Sequence, residues 1–308
     1  MARKIIVVAD PGIDTAFALA LALNDPNLEV LGILPTAGNV TAEQATANVH
    51  TIIDVLDPPR WPKLAAALPA RYDRDGQALH GPGGLGGATF PTATRHTLHP
   101  ADKVLCELAR EHPRQVSIVC LGPLTTLATA LDRDPGLPAV IDQTFIVGGS
   151  WRVSGNAGPA AEFHFALDPD AARRVLHAEL HSIIMPLDVT RRLVFSPSDL
   201  LELPNADSRT CQFLRKIVPF GIRASSNLYG IEGFHLKDVL GVAAASLPGI
   251  ATGEDYHVDV ETRGELTRGM MVVDTRPQPV GPPNARVTTD VSVGEVRQYI
   301  ERILKSAG

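Results

Sequence analysis

Short apolar runs alternate with stretches of helical periodicity along most of the chain. Runs typical of buried strands occupy residues 5–8, 29–34, 116–120, 144–147 and 182–185. Apolar positions with helical spacing occupy residues 13–23, 41–56, 124–131, 171–179 and 293–306. Because nearly all-apolar strands alternate with helices, the pattern predicts an α/β fold. We expect an open, mostly parallel central sheet that is covered by helices on both faces.

Local signals refine this pattern at several element boundaries. Thr41 and Gln44 have the spacing of a capping box, and Asp168-Pro169 suits an N-cap followed by proline at the first helical position. Residues 256–261 and 270–273 predict a pair of strands near the end. Residues 57–100, 148–165 and 221–238 are loop-like, and long loops in compact α/β domains are usually functional.

Composition narrows the class of protein. The chain has 308 residues, a net charge of −6 and 44% apolar residues, so we treat residues 1–308 as a single soluble domain. The acidic balance disfavours a nucleic-acid surface or a polybasic membrane anchor, and no apolar run reaches the ~20 residues of a membrane span. Three cysteines without a CxxC pair indicate a reducing compartment, so we expect a cytoplasmic protein with a small-molecule substrate.

Polar side chains cluster where the predicted strands end. Asp10 and Asp14 follow the first strand, where they could bind a hard cation or supply a general base. A turn and a helix start, with Asp14 favoured by the helix dipole, would explain the same residues. The glycine-rich segment 80–87 lacks the P-loop pattern, so we interpret it as a mobile loop that carries His80 towards a pocket.

Taken in order, these segments resemble the family of inosine-uridine preferring nucleoside hydrolases over nearly the whole chain. The matching segments are DPGID at 10–14, TAGN at 36–39, HG at 80–81, GLG at 84–86, GPLT at 122–125, AEF at 161–163 and PLDVT at 186–190. The resemblance implies hydrolysis of the N-glycosidic bond of a ribonucleoside to free base and ribose, for purine or pyrimidine salvage. It also implies a Ca²⁺ cofactor and a homodimer or homotetramer.

The resemblance assigns roles to individual residues. Asp10 would be the general base and a metal ligand, and Asp238 would bind metal and the ribose 3′-hydroxyl. The other assigned residues are Leu121, whose carbonyl would bind metal; Asp14 and Asn39 on the ribose; Asn156 and Glu162 on the 5′-hydroxyl; and His80 and His164 in the substrate pocket.

The chain departs from the family pattern at charged positions. Thr15 stands where the family has an Asp that grips Ca²⁺, Val8 replaces another Asp, and Lys237 replaces a His near the leaving base. His164 replaces an Asn that contacts the sugar. The changes at 8, 15 and 237 make the expected pocket about three charge units more positive. Either Asp10, Thr15, Leu121 and Asp238 bind Ca²⁺ weakly, or the pocket is metal-free with the catalytic Lys237 as its cation.

Three functions are compatible with these residues. The first is a ribonucleoside hydrolase in which Asp10 activates water. The second is a non-catalytic nucleoside or pentose binding protein that has lost a complete calcium site. The third is a structural protein, which is disfavoured because buried acids without a ligand are costly. Base preference would depend on residues 71–90 and 221–238, and Tyr229 and Trp151 are aromatic candidates for a base contact.

Overall fold

The computed structural model describes residues 2–70, 75–91 and 98–307. The strands in these residues are β1 (Arg3–Ala9), β2 (Leu28–Pro35), β3 (Lys63–Leu64), β4 (Val116–Leu121), β5 (Ile141–Val147), β6 (Ser182–Met185), β7 (Val194–Phe195), β8 (Phe234–His235), β9 (Ala251–Val260), β10 (Met271–Asp274) and β11 (Ala285–Val291). The helices are α1 (Ile13–Asn24), α2 (Ala42–Leu56), α3 (Gln77–His80), α4 (Ala101–Glu111), α5 (Thr125–Arg133), α6 (Phe163–Leu167), α7 (Pro169–Leu176), α8 (Leu187–Thr190), α9 (Pro197–Leu201), α10 (Arg209–Tyr229), α11 (Lys237–Ser246) and α12 (Val293–Ser306).

The central sheet has the predicted architecture. In the described residues it contains nine strands in the order β10-β9-β11-β6-β5-β4-β1-β2-β3. The strands from β3 to β11 in this order pair in parallel, and β9 and β10 extend the far edge in antiparallel pairing. The prediction of an open, mostly parallel sheet is therefore confirmed.

Side chains of β1 alternate between two apolar cores. Ile5 and Val7 belong to the core that includes Phe17 of α1, whereas Ile6 and Val8 belong to the core that includes Leu105 of α4. This alternation places helices on both faces of the sheet, as predicted. Val8 is fully buried in the apolar core on the α4 face.

The chain reverses its direction of travel across the sheet beside β1. Strands β2 and β3 lie on one side of β1, and β4, β5 and β6 lie on the other. Ligands of open α/β sheets bind outside the carboxyl ends of strands at such a point. The amide of Asp10, directly after β1, donates to the carbonyl of Leu121 at the end of β4 at 3.2 Å. This contact joins two predicted site residues.

Residues 221–238 are mostly helical, so the interpretation of this segment as a loop is wrong. Helix α10 continues to Tyr229 and ends at Gly230 in the left-handed conformation. Pro219 and Gly221 lower the helical signal, but Gly221 lets the helix approach the ring of Phe234, where a Cβ would lie only 2.8 Å from a ring carbon. Tertiary packing therefore overrides weak helical propensity.

Other local predictions met mixed outcomes. Asp168 caps α7 through a bond from the amide of Ala171 at 3.0 Å, as predicted. Thr41 caps α2, but Gln44 donates to Asn48 instead of returning to the cap, so the capping box is only half formed. The prediction that 57–100 holds no clear element is wrong for β3 and α3, while 71–74 and 92–97 lie outside the described residues. No helix in the described ranges is long and apolar enough to cross a bilayer.

Candidate functional site

A cavity of about 450 Å³ opens at the carboxyl ends of the parallel strands. Its lining includes six residues predicted from the sequence: Asp14, Asn39, His80, Asn156, His164 and Lys237. A larger cavity of about 770 Å³ lies at the amino ends of β5, β6 and β11, and it contains no predicted site residue. The smaller cavity is the candidate site because its lining carries the expected chemistry and it occupies the expected end of the sheet.

Asp10 is fully buried and is not among the residues that line this cavity, but it bonds to Asn39, which does line it. Its two carboxylate oxygens accept the backbone amide of Asn39, at 2.8 Å each, and the Asn39 side chain donates to the carbonyl of Asp10 at 3.2 Å. Burial raises the pKa of Asp10 well above its ordinary value, with the Asn39 amide opposing the shift and the Asp14 charge adding to it. A raised pKa makes a carboxylate a stronger base, as a general base requires.

Gly38 allows the chain to approach the Asp10 carboxylate closely. A Cβ at residue 38 would lie 2.2 Å from Oδ2 of Asp10, closer than real Cβ atoms come. A Cβ at Gly122, after β4, would lie 2.7 Å from the Cβ of Asp10. Both glycines are therefore needed for the backbone to enclose this acid.

His80 is buried in the wall of the cavity. It ends the short helix α3, is 3% exposed and lines the cavity, so the expectation that this segment carries His80 to a pocket is confirmed. Its Nδ1 accepts the amide of Ile13 at 3.0 Å, which leaves the proton of the neutral ring on Nε2. Burial lowers the pKa of His80 to about 4. His80 is therefore a neutral hydrogen-bond donor at neutral pH.

Lys237 projects into the same cavity from the first residue of α11. Its ammonium lies 3.9 Å from Oδ2 of Asp14, and its side chain is 12% exposed. Burial opposes the charged form, but the charges of Asp14, Glu162 and Asp238 raise the pKa of Lys237 above its ordinary value. The cavity thus contains a fixed positive charge beside the acid that resemblance assigns to the ribose.

Thr15 connects two acids at the base of the site. Its hydroxyl lies 2.6 Å from the carbonyl of Asp10 and 2.5 Å from Oδ2 of Asp238. Burial and the Asp14 carboxylate raise the pKa of Asp238 well above its ordinary value. The other carboxyl oxygen of Asp238, Oδ1, is buried and has no hydrogen-bond partner in the described residues.

The oxygen atoms here do not fit a tight calcium site. Calcium takes six to eight oxygen ligands, and its affinity follows their negative charge. The carbonyl of Leu121 and Oδ2 of Asp238 already accept protein hydrogen bonds, and Thr15 supplies no charge. Among the described residues, no group of three His, Cys, Asp or Glu side chains is arranged to hold a metal ion. Lys237 adds a repelling charge nearby.

The segment 156–164 forms a second wall. Oε2 of Glu162 accepts the amides of Gly149, His164 and Phe165 at 3.0–3.2 Å, which leaves Oε1 for a ligand. Oδ1 of Asn156 accepts the amide of Phe163 at 2.8 Å, so its NH₂ group can donate. Nδ1 of His164 donates to the carbonyl of Val147 at 3.1 Å, which leaves Nε2 as an acceptor for a sugar hydroxyl.

The structure adds apolar surfaces that the motifs did not identify. Leu79, Phe163, Leu228 and Tyr229 also line the cavity, and the last two are half exposed at the end of α10. Of these, the sequence analysis had named Tyr229 as a candidate base contact and Phe163 as part of the AEF segment, but neither Leu79 nor Leu228. Trp151 packs against Tyr256, with ring centroids 5.3 Å apart, and does not belong to this lining. Of the two aromatic residues that the sequence analysis proposed for a base contact, Tyr229 lines the cavity and Trp151 does not.

Comparison with known proteins agrees with this geometry. Residues 5–298 match the family model described as inosine-uridine preferring nucleoside hydrolase. The chain is 32% identical over 309 residues to a non-specific ribonucleoside hydrolase of Shigella boydii, covering all of both chains. It is 32% identical over 267 residues to a probable uridine nucleosidase of Oryza sativa subsp. japonica, covering 85% of this chain and 79% of the relative.

Solved structures show the same similarity. A plant nucleoside hydrolase aligns with a TM-score of 0.93 and 27% identity, covering 99% of each chain. A purine-preferring ribonucleoside hydrolase from Gardnerella vaginalis aligns with a TM-score of 0.92 and 26% identity, again covering 99% of each chain. The similarity therefore extends across the whole sheet and the helices that carry the site.

Proposed function

The chain belongs to the family of inosine-uridine preferring nucleoside hydrolases, and we propose that it hydrolyses a ribonucleoside with Asp10 as the general base. One observation carries the proposal: Asp10 is buried, has a raised pKa and bonds to Asn39 in the lining of a cavity whose polar groups suit ribose. Family members split N-glycosyl bonds of ribonucleosides, which is the reaction class that the fold supplies.

The proposed reaction begins with a water molecule at the floor of the cavity. Asp10 takes a proton from this water as its oxygen attacks C1′ of the ribose, and the bond from C1′ to the base breaks. The transition state has oxocarbenium character, so the carboxylates of Asp10 and Asp14 stabilise its positive charge. The electron pair of the broken bond leaves with the base, which takes a proton from solvent to become the free base, while Asp10 returns to solvent the proton that it took from water.

The walls of the cavity would orient the nucleoside. Asp14 and Asn39 face the ribose hydroxyls, while Oε1 of Glu162 and the NH₂ of Asn156 receive the 5′-hydroxyl. Nε2–H of His80 donates to the substrate, and Tyr229 offers a face to the base. Holding the sugar at both ends positions C1′ above Asp10 and supplies much of the acceleration.

The wider setting of the protein is part of the same proposal. All three cysteines are buried and unpaired, which supports a reducing compartment such as the cytoplasm. The substrate is a small nucleoside, and the free base enters purine or pyrimidine salvage. Resemblance to the family supports a homodimer or homotetramer, which light scattering of the purified chain would measure.

The test is release of reducing sugar from a panel of ribonucleosides by the full chain and by Asp10→Asn. Asp132→Asn is the matched control, because Asp132 is exposed and pairs with Arg174 on the surface. We expect Asp10→Asn to lower kcat/KM by about 10³-fold, within the range of a lost general base, with the control unchanged. Binding of nucleosides by a folded wild-type chain without any turnover would favour the non-catalytic binding protein instead.

A further inference from the structure

We propose that Lys237 and Thr15 replace calcium in this pocket and make ribose binding independent of metal. The inference deepens the proposed function, since it concerns the same pocket, and it rests on that function for the reaction itself. Two contacts carry it: the Thr15 hydroxyl between Asp10 and Asp238, and the Lys237 ammonium beside Asp14.

Thr15 links the carboxylate of Asp238 to the backbone of Asp10. Its hydroxyl spans the carbonyl of Asp10 and Oδ2 of Asp238 at 2.6 and 2.5 Å, and all three residues are buried. Its single proton is donated to one of these two oxygens at a time, and both oxygens lie beside a neutral group that belongs to the chain. A cation is therefore not needed to keep Asp238 beside the backbone of Asp10.

Lys237 supplies the positive charge. In the described residues its ammonium makes no hydrogen bond to a protein atom, since the 3.9 Å separation from Asp14 exceeds hydrogen-bond length. The side chain is nevertheless only 12% exposed, and a buried ammonium needs acceptors. Hydroxyl oxygens of a ribose bound against Asp14 are suitable acceptors for its three protons.

The charge balance supports the replacement. Thr15 removes one negative charge from the acid set of the resembled family, and Lys237 adds one positive charge. These two changes together alter the charge by two units, which equals the charge of one calcium ion; Val8, which lies in the apolar core on the α4 face, is left out of this count. The remaining acids, Asp10, Asp14, Glu162 and Asp238, interact with a cation that is covalently part of the chain and lies 3.9 Å from Asp14.

Oδ1 of Asp238 also fits this arrangement. It is buried and lacks a hydrogen-bond partner in the described residues, although Oδ2 of the same side chain is held by Thr15. An unpaired buried acceptor is stabilised when a donor reaches it. A ribose hydroxyl, held on its oxygen by Lys237, would donate its proton to this atom.

The first experiment measures metal and activity in the wild-type chain. The protein is dialysed against EGTA, its calcium is measured by mass spectrometry, and hydrolysis and ribose binding are followed with and without added calcium chloride. We expect calcium well below one ion per chain and a kcat/KM that calcium changes by less than about twofold. Stoichiometric calcium after dialysis, or activity that EGTA abolishes and calcium restores, would overturn the inference.

The second experiment separates the two residues. Lys237→Met should lower ribose affinity and kcat/KM by about 100-fold, because it removes a charged hydrogen bond to the sugar. Added calcium should restore neither quantity. Lys305→Met is the matched control, because Lys305 is exposed and pairs only with Glu301 in the described residues. The melting temperature of Thr15→Asp should rise when calcium is added, whereas the melting temperature of the wild type should not change.

The outcomes separate this inference from the proposed function. A chain that binds ribose in EGTA but does not hydrolyse any nucleoside would defeat the proposed function and leave the metal-free pocket supported, provided that Lys237→Met loses the binding. Hydrolysis that needs calcium would support the function and defeat the inference. Ribose binding that needs calcium in a chain without hydrolysis would defeat both.

Discussion

The backbone amide of Asn39 donates to both carboxylate oxygens of Asp10, at 2.8 Å each. This single donor holds a fully buried acid at the carboxyl end of β1, where the chain turns around Gly38. The amide is too weak a partner to offset burial, so the pKa of Asp10 stays raised. The geometry thus produces a positioned carboxylate that is also a stronger base than an exposed one.

Gly38→Ala should disturb this acid directly. A Cβ at residue 38 would meet Oδ2 of Asp10 at 2.2 Å, so either the carboxylate or the 36–39 segment must move. We expect kcat/KM to fall by about 100-fold, as a displacement of about 1 Å in a site can cause. Gly294→Ala on α12 is the matched control, because its Cβ would meet nothing within 4 Å. Unchanged kinetics in Gly38→Ala would refute the close approach.

As pH is lowered, activity should begin to fall at a higher pH than it would if Asp10 had the ordinary pKa of an aspartate. Asp10 must be ionised to accept a proton from water, and its pKa lies well above the ordinary value because of burial. As pH falls through this raised pKa, the base becomes protonated and kcat/KM declines. A pH profile of kcat/KM with an acid limb near the ordinary pKa of 3.8 would contradict the assignment.

Asp10→Asn should lose activity without losing stability. An acid whose folded pKa is raised binds its proton more tightly when folded, so its ionised form costs folding free energy at pH values above that pKa. The amide removes this charge, and its oxygen can still accept the Asn39 amide. We expect a melting temperature at neutral pH equal to or above that of the wild type. A markedly lower melting temperature would show that Asp10 is chiefly structural.

The folded protein should lose stability on acidification, because His80 is buried. Its pKa is about 6.5 when unfolded and about 4 when folded, so the unfolded chain binds more protons between these values. The free energy of unfolding should therefore fall as pH drops from about 6.5 to about 4, by roughly 3 kcal/mol from this group. Urea titrations of His80→Gln should show a smaller pH dependence, whereas His181→Gln, at an exposed residue, should match the wild type.

Glu162→Gln should separate capping from substrate binding. Oε2 of Glu162 accepts three backbone amides, so the neutral amide should lower the melting temperature. If Oε1 also receives the 5′-hydroxyl, kcat/KM should fall further for a ribonucleoside than for its 5′-deoxy analogue. Equal losses for both substrates would leave Glu162 as a cap alone. Glu301→Gln, on the exposed face of α12, is the matched control.

Sequence reasoning located those parts of the site that depend on one strand end. Asp10 and Asp14 follow an apolar run that could only be a buried strand, and parallel strands place such residues at one edge. Contacts between segments that are far apart in the sequence could not be predicted in this way. Thr15 and Asp238 are 223 residues apart, and no local pattern indicates that a hydroxyl would bridge them.

Helix α10 illustrates the second limit. Its last turns contain Gly221, Ser225 and Ser226, which are weak helix formers, so local propensity predicted a loop. Packing against Phe234 maintains the helix, and it places Leu228 and Tyr229 at the cavity mouth. Burial of His80 was likewise not predicted: the glycine-rich segment 80–87 suggested a mobile loop, but the ring of His80 is buried.

Hydrolysis of a ribonucleoside in ¹⁸O-labelled water, followed by mass spectrometry of the sugar product, tests directly whether Asp10 activates water. If Asp10 activates water for attack at C1′, the wild-type chain should release ribose with one ¹⁸O at C1, analysed before the anomeric oxygen exchanges. Asp10→Asn should release almost none. Absence of ribose from a folded wild-type chain, or labelled ribose formed equally well by Asp10→Asn, would contradict the central claim.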